Sequence, residues 1–176
     1  DLPRVREAQA IADLGSGAGF PGLVLAIALP GARVSLVESN GRKCAFLSRV
    51  IAELALRNAQ AVAERAESWE AGVGACDLVT ARALAPLNVL VEYAAPLLRE
   101  GGALVAWKGR RDAAAEADAA AAAAKTGLEP VAVEPVHPWP AAEHHHLHLY
   151  LKVGSTPNRY PRRPGMASKR PLRAST

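Results

Sequence analysis

Apolar residues in this chain fall into two rhythms, short unbroken runs and longer stretches with helical spacing, and the two alternate. Runs at 11–14, 33–37, 59–63, 77–80 and 101–108 read as buried strands. Between them, 23–29 opens as a helix behind Gly22, and 42–56 carries Phe46, Leu47, Val50, Ile51 and Leu54 at helical spacing. Residues 86–98 read as a proline-started helix with Leu87, Leu90, Val91 and Ala94 in one stripe. The alanine-rich stretch 112–125 is helical by propensity and closed by Gly127, with Asp112, Glu116 and Asp118 on its solvent face. Two last runs, 129–136 and 146–153, are separated only by 137–143, with no helical segment, so they are expected to pair antiparallel. The pattern predicts an α/β fold with a doubly wound, mostly parallel sheet of seven strands, one of them reversed.

Composition narrows the class. The 176 residues are 50% hydrophobic and 22% charged, which suits one globular domain. The longest bland stretch, 119–124, is all alanine and falls far short of the roughly 18 apolar residues of a bilayer span. A cytoplasmic protein with no membrane segment is expected. Cys44 and Cys76 form no CxxC pair and read as buried, inert thiols, so neither disulfide nor zinc chemistry is expected. The chain opens on Asp1 close to the first strand, and a segment preceding it is expected.

Charge divides the chain in two. Residues 154–176 carry six basic groups and no acid, leaving fifteen basic against seventeen acidic residues in 1–153. Pro157, Pro161, Pro164 and Pro171 break any long helix there. The expected organisation is a folded domain over 1–153 and an extended, basic, proline-rich tail over 154–176 whose cations seek phosphate.

The chemistry gathers after the strands. In a doubly wound sheet the ligand lies beyond the carboxyl ends of the strands. There the chain places a loop with Gly15, Gly17, Gly19 and Gly22, then Glu38, then Ala66 and Glu67, then Arg82, then Lys108 and Gly109. Glycines permit positive φ and close backbone approach to a ligand, and a carboxylate at the tip of the second strand can accept from both hydroxyls of a ribose. A nicotinamide enzyme would use the same pair. Asp13, two residues ahead of Gly15, makes the run acid-x-Gly-x-Gly-x-Gly, which resembles the first motif of S-adenosyl-L-methionine (SAM) enzymes more than a Gly-x-Gly-x-x-Gly nicotinamide fingerprint.

The succession Asp13, Gly15, Gly17, Gly19, Phe20, Pro21 and Gly22, then Glu38, Ala66, Glu67, Ala81, Arg82 and Ala83, then Trp107, Lys108 and Gly109, and finally Tyr160, Pro161, Arg162, Arg163, Lys169 and Arg170, closely resembles the bacterial 16S ribosomal RNA guanine-N7 methyltransferase family, also called glucose-inhibited division protein B. The element order is likewise similar to the class I SAM-dependent methyltransferase (Rossmann-like) fold, which implies an antiparallel seventh strand at the sheet edge. The resemblance implies SAM as cofactor and S-adenosyl-L-homocysteine as product. It implies cofactor contacts from Gly15, Phe20, Ala66 and Glu67 with Arg82 in the pocket; Asp13, Gly17, Gly19 and Glu38 join them as cofactor residues by their place around the loop, and Arg82 and Lys108 are positioning candidates. It also implies 16S ribosomal RNA or the small ribosomal subunit as partner, with Lys108, Arg159, Arg162, Arg163, Lys169 and Arg170 facing RNA.

Guanine N7 carries an in-plane lone pair, so methyl transfer to it needs alignment and no general base. The N7 edge faces the deep major groove of A-form RNA, so the target base is expected in a loop or opened structure. His144, His145, His146 and His148 lack an acid or cysteine at ligand spacing, and no metal is expected; the resemblance implies a strand entry from Glu143 onward, which favours an edge strand. A monomer is expected. Removing 154–176 is expected to weaken RNA binding while leaving SAM binding intact. Three other readings stand beside this one: a SAM methyltransferase of small molecules or proteins, a non-catalytic RNA-binding module with the same fold, and a nicotinamide oxidoreductase.

Overall fold

The computed structural model describes residues 3–137 and 143–174; the stretch 138–142, part of the helix-free connection expected above, lies outside the described residues, as do 1–2 and 175–176. Seven strands form one sheet: β1 (Ala10–Leu14), β2 (Arg33–Val37), β3 (Ala59–Val62), β4 (Cys76–Arg82), β5 (Leu98–Lys108), β6 (Leu128–Val136) and β7 (His145–Lys152). Their order is β3-β2-β1-β4-β5-β7-β6. Parallel pairing runs from β3 to β5, and β7 is antiparallel to both its neighbours. The reversed strand is therefore interior, not at the edge. β7 buries Leu147, His148, Leu149 and Tyr150, whereas β6 exposes Pro130 and Pro135 and carries a register shift at Pro130, which suits an edge.

Helices cover the sheet: α1 (Pro3–Arg6), α2 (Gly22–Ala28), α3 (Gly41–Glu53), α4 (Leu87–Ala94), α5 (Ala113–Thr126) and α6 (Met166–Lys169). Asn40 caps α3 by accepting from the Arg42 and Lys43 N–H groups, and Asp112 caps α5 in the same way. α3 stops short of the expected Leu56, and Ala55 turns to φ +50° just beyond it. α5 ends on Gly127 at φ +79°, where a Cβ would run into the Gly154 carbonyl.

α4 departs most from the sequence pattern. It ends at Ala94 rather than Leu98, and all eight of its residues are buried, Asn88 and Glu92 included. Two layers enclose it. α5 packs on one side, where the small side chains of Ala119, Ala122 and Ala123 let the helices approach closely, and the C-terminal residues close the other. Of the three acids expected on the solvent face of α5, only Asp112 is exposed. Glu116 pairs with Arg111 at 2.8 and 2.6 Å, and Asp118 accepts the Ala174 N–H at 3.0 Å.

Residues 154–174 are not an extended arm. Lys152, buried at the end of β7, donates to the carbonyls of Ala95 (2.8 Å) and Thr126 (3.3 Å) and to the Thr156 hydroxyl, so the chain leaves the sheet already pinned to the ends of α4 and α5. Burial lowers the Lys152 pKa to about 8. Farther on, Asn88 donates to the Leu172 carbonyl at 2.6 Å and Lys125 to that of Arg173 at 3.1 Å. Among the described residues no helix is long and apolar enough to cross a membrane.

Candidate functional site

The glycine loop joins β1 to α2 and is held by backbone and by two acids. Gly15, Gly17 and Gly19 adopt φ of +66°, +57° and +95°. The Gly15 and Ser16 N–H groups donate to the Val37 carbonyl at 2.8 and 3.3 Å, tying the loop to the end of β2. Glu38 accepts the Gly17 N–H on Oε2 at 3.1 Å and the Asn40 N–H on Oε1 at 2.8 Å. Its carboxylate is thus fixed by two backbone donors. Each oxygen keeps a further lone pair for a ligand.

Asp13 does something else. It is fully buried, and its Oδ2 accepts the Gly22 N–H at 3.1 Å while its carbonyl accepts from Ser16 Oγ at 2.8 Å. Burial pushes its carboxyl up to about 7, and Oδ1 has no hydrogen-bond partner among the described residues. Asp13, expected among the cofactor contacts, lies beneath the loop and orients Gly22, because a residue inside a central parallel strand is covered on both faces. A Cβ on Gly22 would sit 2.7 Å from that Oδ2. Gly17 and Gly19 shape the loop and are not among the residues that line the two cavities beside it. Gly17 spends its N–H on Glu38, and Gly19 packs on Leu23 and Leu47.

Two cavities open beside the loop. The first, about 330 Å³, is polar and lined by Gly15, Glu38, Ala66, Glu67, Tyr93 and Ser168 among others. Four of the expected cofactor residues meet here. A Cβ on Gly15 would come within 2.6 Å of Leu84 Cδ1, so the bare backbone is what leaves this wall open. Glu67 is already engaged on one oxygen, where Oε1 accepts the Gly165 N–H at 3.1 Å.

The second cavity is larger, about 740 Å³, and mostly apolar: Phe20, Pro21, Val24 and Trp107 line it with Arg82, Lys108 and His145. The Arg82 guanidinium lies 5.6 Å from the centroid of the Phe20 ring, which is 50% exposed. Lys108 Nζ donates to the Ala85 carbonyl at 3.0 Å, and burial lowers its pKa. Phe20 and Arg82 therefore stand apart from Glu38 and Glu67. Arg82 is the last residue of β4, not part of the loop after it, and Ala83 follows at φ +55° and lines both cavities. A non-glycine residue in that conformation is strained, and the strain sits where the two cavities meet.

The basic residues of the C-terminal segment divide. Arg159, Arg163, Lys169 and Arg170 are exposed, with Arg159 stacked 5.2 Å from the Tyr160 ring centroid. Arg162 instead turns its guanidinium onto the body of the protein. Its Nε and Nη2 donate to the two oxygens of Glu92 at 2.9 and 2.6 Å, and its main-chain N–H adds a third bond at 3.0 Å. Glu92 is 1% exposed, and a buried carboxylate recruits the nearest cation that can satisfy it bidentately.

Other expectations resolve by position. His146 Nδ1 lies 2.9 Å from the Gly109 carbonyl and His148 is buried in the sheet, so these histidines follow β7 pairing. Cys76 begins β4 at the end of the sheet remote from both cavities, and burial pushes its thiol up to about 12. Trp107, Tyr93 and Ser168 were not singled out as site residues from sequence. Trp107 had a signal in its place beside Lys108, whereas Tyr93 and Ser168 sat in a core helix and in the tail.

The family model described as GidB, rRNA small subunit methyltransferase G, matches residues 2–145. A Chloroflexus aggregans protein named ribosomal RNA small subunit methyltransferase G is 46% identical over 163 residues, covering 91% of this chain and 68% of that one. A protein of the same name from Roseiflexus castenholzii is 45% identical over 167 residues, covering 91% and 69%. Among solved structures, the antibiotic-resistance methyltransferase Kmr superposes with a TM-score of 0.67 at 21% identity, covering 86% of this chain and 90% of that one. Geranyl diphosphate methyltransferase in complex with SAM gives 0.69 at 14% identity, covering 86% and 81%. At those identities the structures establish the fold alone. The sequence matches go further, and this chain belongs to the GidB family, the rRNA small subunit methyltransferase G proteins.

Proposed function

We propose that this chain transfers the methyl group of SAM to N7 of a guanine in small-subunit (16S) ribosomal RNA, in the cytoplasm where that RNA is assembled. The observation that carries the reading is the pair of adjoining cavities, one polar and acid-lined, the other aromatic and cation-flanked, which share Ala83. The polar cavity fits the cofactor. Glu38 offers two anchored oxygens to a ribose, Gly15 leaves its wall without a side chain, and Ala66 with Glu67 borders the space suited to an adenine edge. Bound there, SAM supplies an electrophilic methyl group on a sulfonium.

The residues of the second cavity do the rest. Phe20 and Trp107 give a purine apolar and aromatic surface, and Arg82 and Lys108 bring cations to its O6 edge or to the adjoining phosphate. Arg82 lies with these residues rather than with Glu38 and Glu67, which supports the nucleotide over the cofactor as its partner. No group need remove a proton, because N7 attacks with a lone pair it already holds. Catalysis then rests on holding N7 in line and excluding water. The exposed Arg159, Arg163, Lys169 and Arg170 extend the cationic surface toward flanking phosphates.

The test is to map 7-methylguanine in 16S RNA from cells with and without the gene, together with calorimetry of the purified chain against S-adenosyl-L-homocysteine. Loss of one 7-methylguanine and micromolar binding are expected. An unchanged modification map, or no binding, overturns the reading.

A further inference from the structure

The segment 160–170 crosses the body as a strap, and its contacts on the inner side are specific. Arg162 is locked to the buried Glu92 of α4 by three hydrogen bonds. Three residues later the Gly165 N–H donates to Glu67, a wall of the polar cavity. Next, Ala167 is fully buried, and Ser168, itself lining that cavity, lies with Oγ 3.2 Å from the hydroxyl of Tyr93, another lining residue. On its outer side the same strap carries Arg163, Lys169 and Arg170 in the open, with Arg159 just ahead of it. One short segment therefore touches both ligand surfaces.

A buried ion pair is weak evidence for stability, since apolar residues of the same volume often serve as well or better. What Glu92 and Arg162 supply that apolar residues would not is a fixed register, because bidentate geometry permits one placement of the backbone on either side of Arg162. That placement is what brings the Gly165 N–H onto Glu67.

We propose that Glu92 and Arg162 are a positioning pair through which the strap couples the two ligands, so that RNA phosphates held by its outer cations tighten the cofactor cavity and cofactor tightens the grip on RNA. The proposal rests on the reading of the polar cavity as the SAM site. Coupling of this kind is reciprocal by thermodynamic necessity.

The experiment measures the affinity for S-adenosyl-L-homocysteine with and without saturating 16S ribosomal RNA, and the affinity for that RNA with and without S-adenosyl-L-homocysteine. In the full wild-type chain both dissociation constants should fall by the same factor, about fivefold or more. In the double variant Glu92→Ala/Arg162→Ala, which removes both charges and leaves no orphaned carboxylate, each ligand still binds alone but the factor drops to about one. Amide hydrogen exchange over 160–170 should rise in that variant. Arg162→Lys keeps the charge without the fork and should give an intermediate factor; it carries the test if the double variant does not fold. Binding of both ligands without linkage in the wild type, or linkage undiminished in the variants, overturns the coupling and leaves the cofactor site standing. Failure of the wild type to bind S-adenosyl-L-homocysteine overturns the site and the coupling together.

Discussion

The glycine loop and the C-terminal strap border the same polar cavity and are held there by different means. The loop is held by backbone: N–H groups of Gly15, Ser16 and Gly17 go to Val37 and Glu38 at the end of the adjacent strand, and Asp13 beneath it takes the Gly22 N–H. The strap is held by side chains from elements far away in sequence, Glu92 above all. A loop anchored by its own strands keeps its shape as long as the sheet persists, whereas a strap docked on side chains depends on each distant partner, and Glu92 alone accepts three of its hydrogen bonds. The loop is built to present a constant surface, and the strap has a register that can be gained or lost.

The largest expected effect tests the strap. Arg162→Ala leaves the Glu92 carboxylate buried without its cation and should destabilise the chain by about 3–5 kcal/mol, as read by denaturant unfolding. Adding Glu92→Ala should restore much of that loss. A single variant within about 0.5 kcal/mol of wild type would mean that the strap is not anchored there.

A smaller effect tests the loop through pH. The Asp13 carboxyl is raised by burial from 3.8 to about 7, so the folded state holds its proton more tightly than the unfolded chain does. Stability from this group is present in full below about pH 4, is lost as pH rises toward 7, and is gone above it. Between pH 5 and 8 the fall is on the order of 2 kcal/mol. Asp13→Asn keeps an acceptor for the Gly22 N–H and should flatten that part of the stability profile. A variant with the same pH dependence as wild type would remove Asp13 from the account.

The smallest effect on the fold returns to the outer side of the strap. Arg163→Ala and Arg170→Ala should leave unfolding unchanged, since both side chains are exposed, while each lowers the slope of log affinity for RNA against log salt by about one. A change in stability with no change in slope would make them structural residues like Arg162.

This division also changes what removal of 154–176 is expected to do. With Ser168 in the cavity wall and the Gly165 N–H on Glu67, the truncation would disturb cofactor and RNA binding together. The reading from composition treated the segment as an arm because its prolines and charges show no apolar face. What docks it is a set of hydrogen bonds to groups whose burial is invisible in a linear pattern. Glu92 illustrates this best: in the chain it is one acid on an apolar helix, and it becomes the anchor of the strap only because α5 and the strap enclose α4 from both sides.

The alternating sheet, the glycine loop, the cap at Gly127 and the meeting of Gly15, Glu38, Ala66 and Glu67 were legible in sequence, because each depends on local φ preference, on periodicity, or on position at a strand end. Sequence by itself determined the family, the alternating strands and helices of the sheet, and the residues that meet in the polar cavity. Only the tertiary structure decided that Asp13 lies under the loop, that Arg82 joins Phe20 and Lys108 in the second cavity, that β7 is interior, and that Arg162 faces inward. Those outcomes depend on which groups are removed from water and what satisfies them there. The contacts that settle the strap join residues 70 and 98 positions apart, beyond the reach of any local pattern.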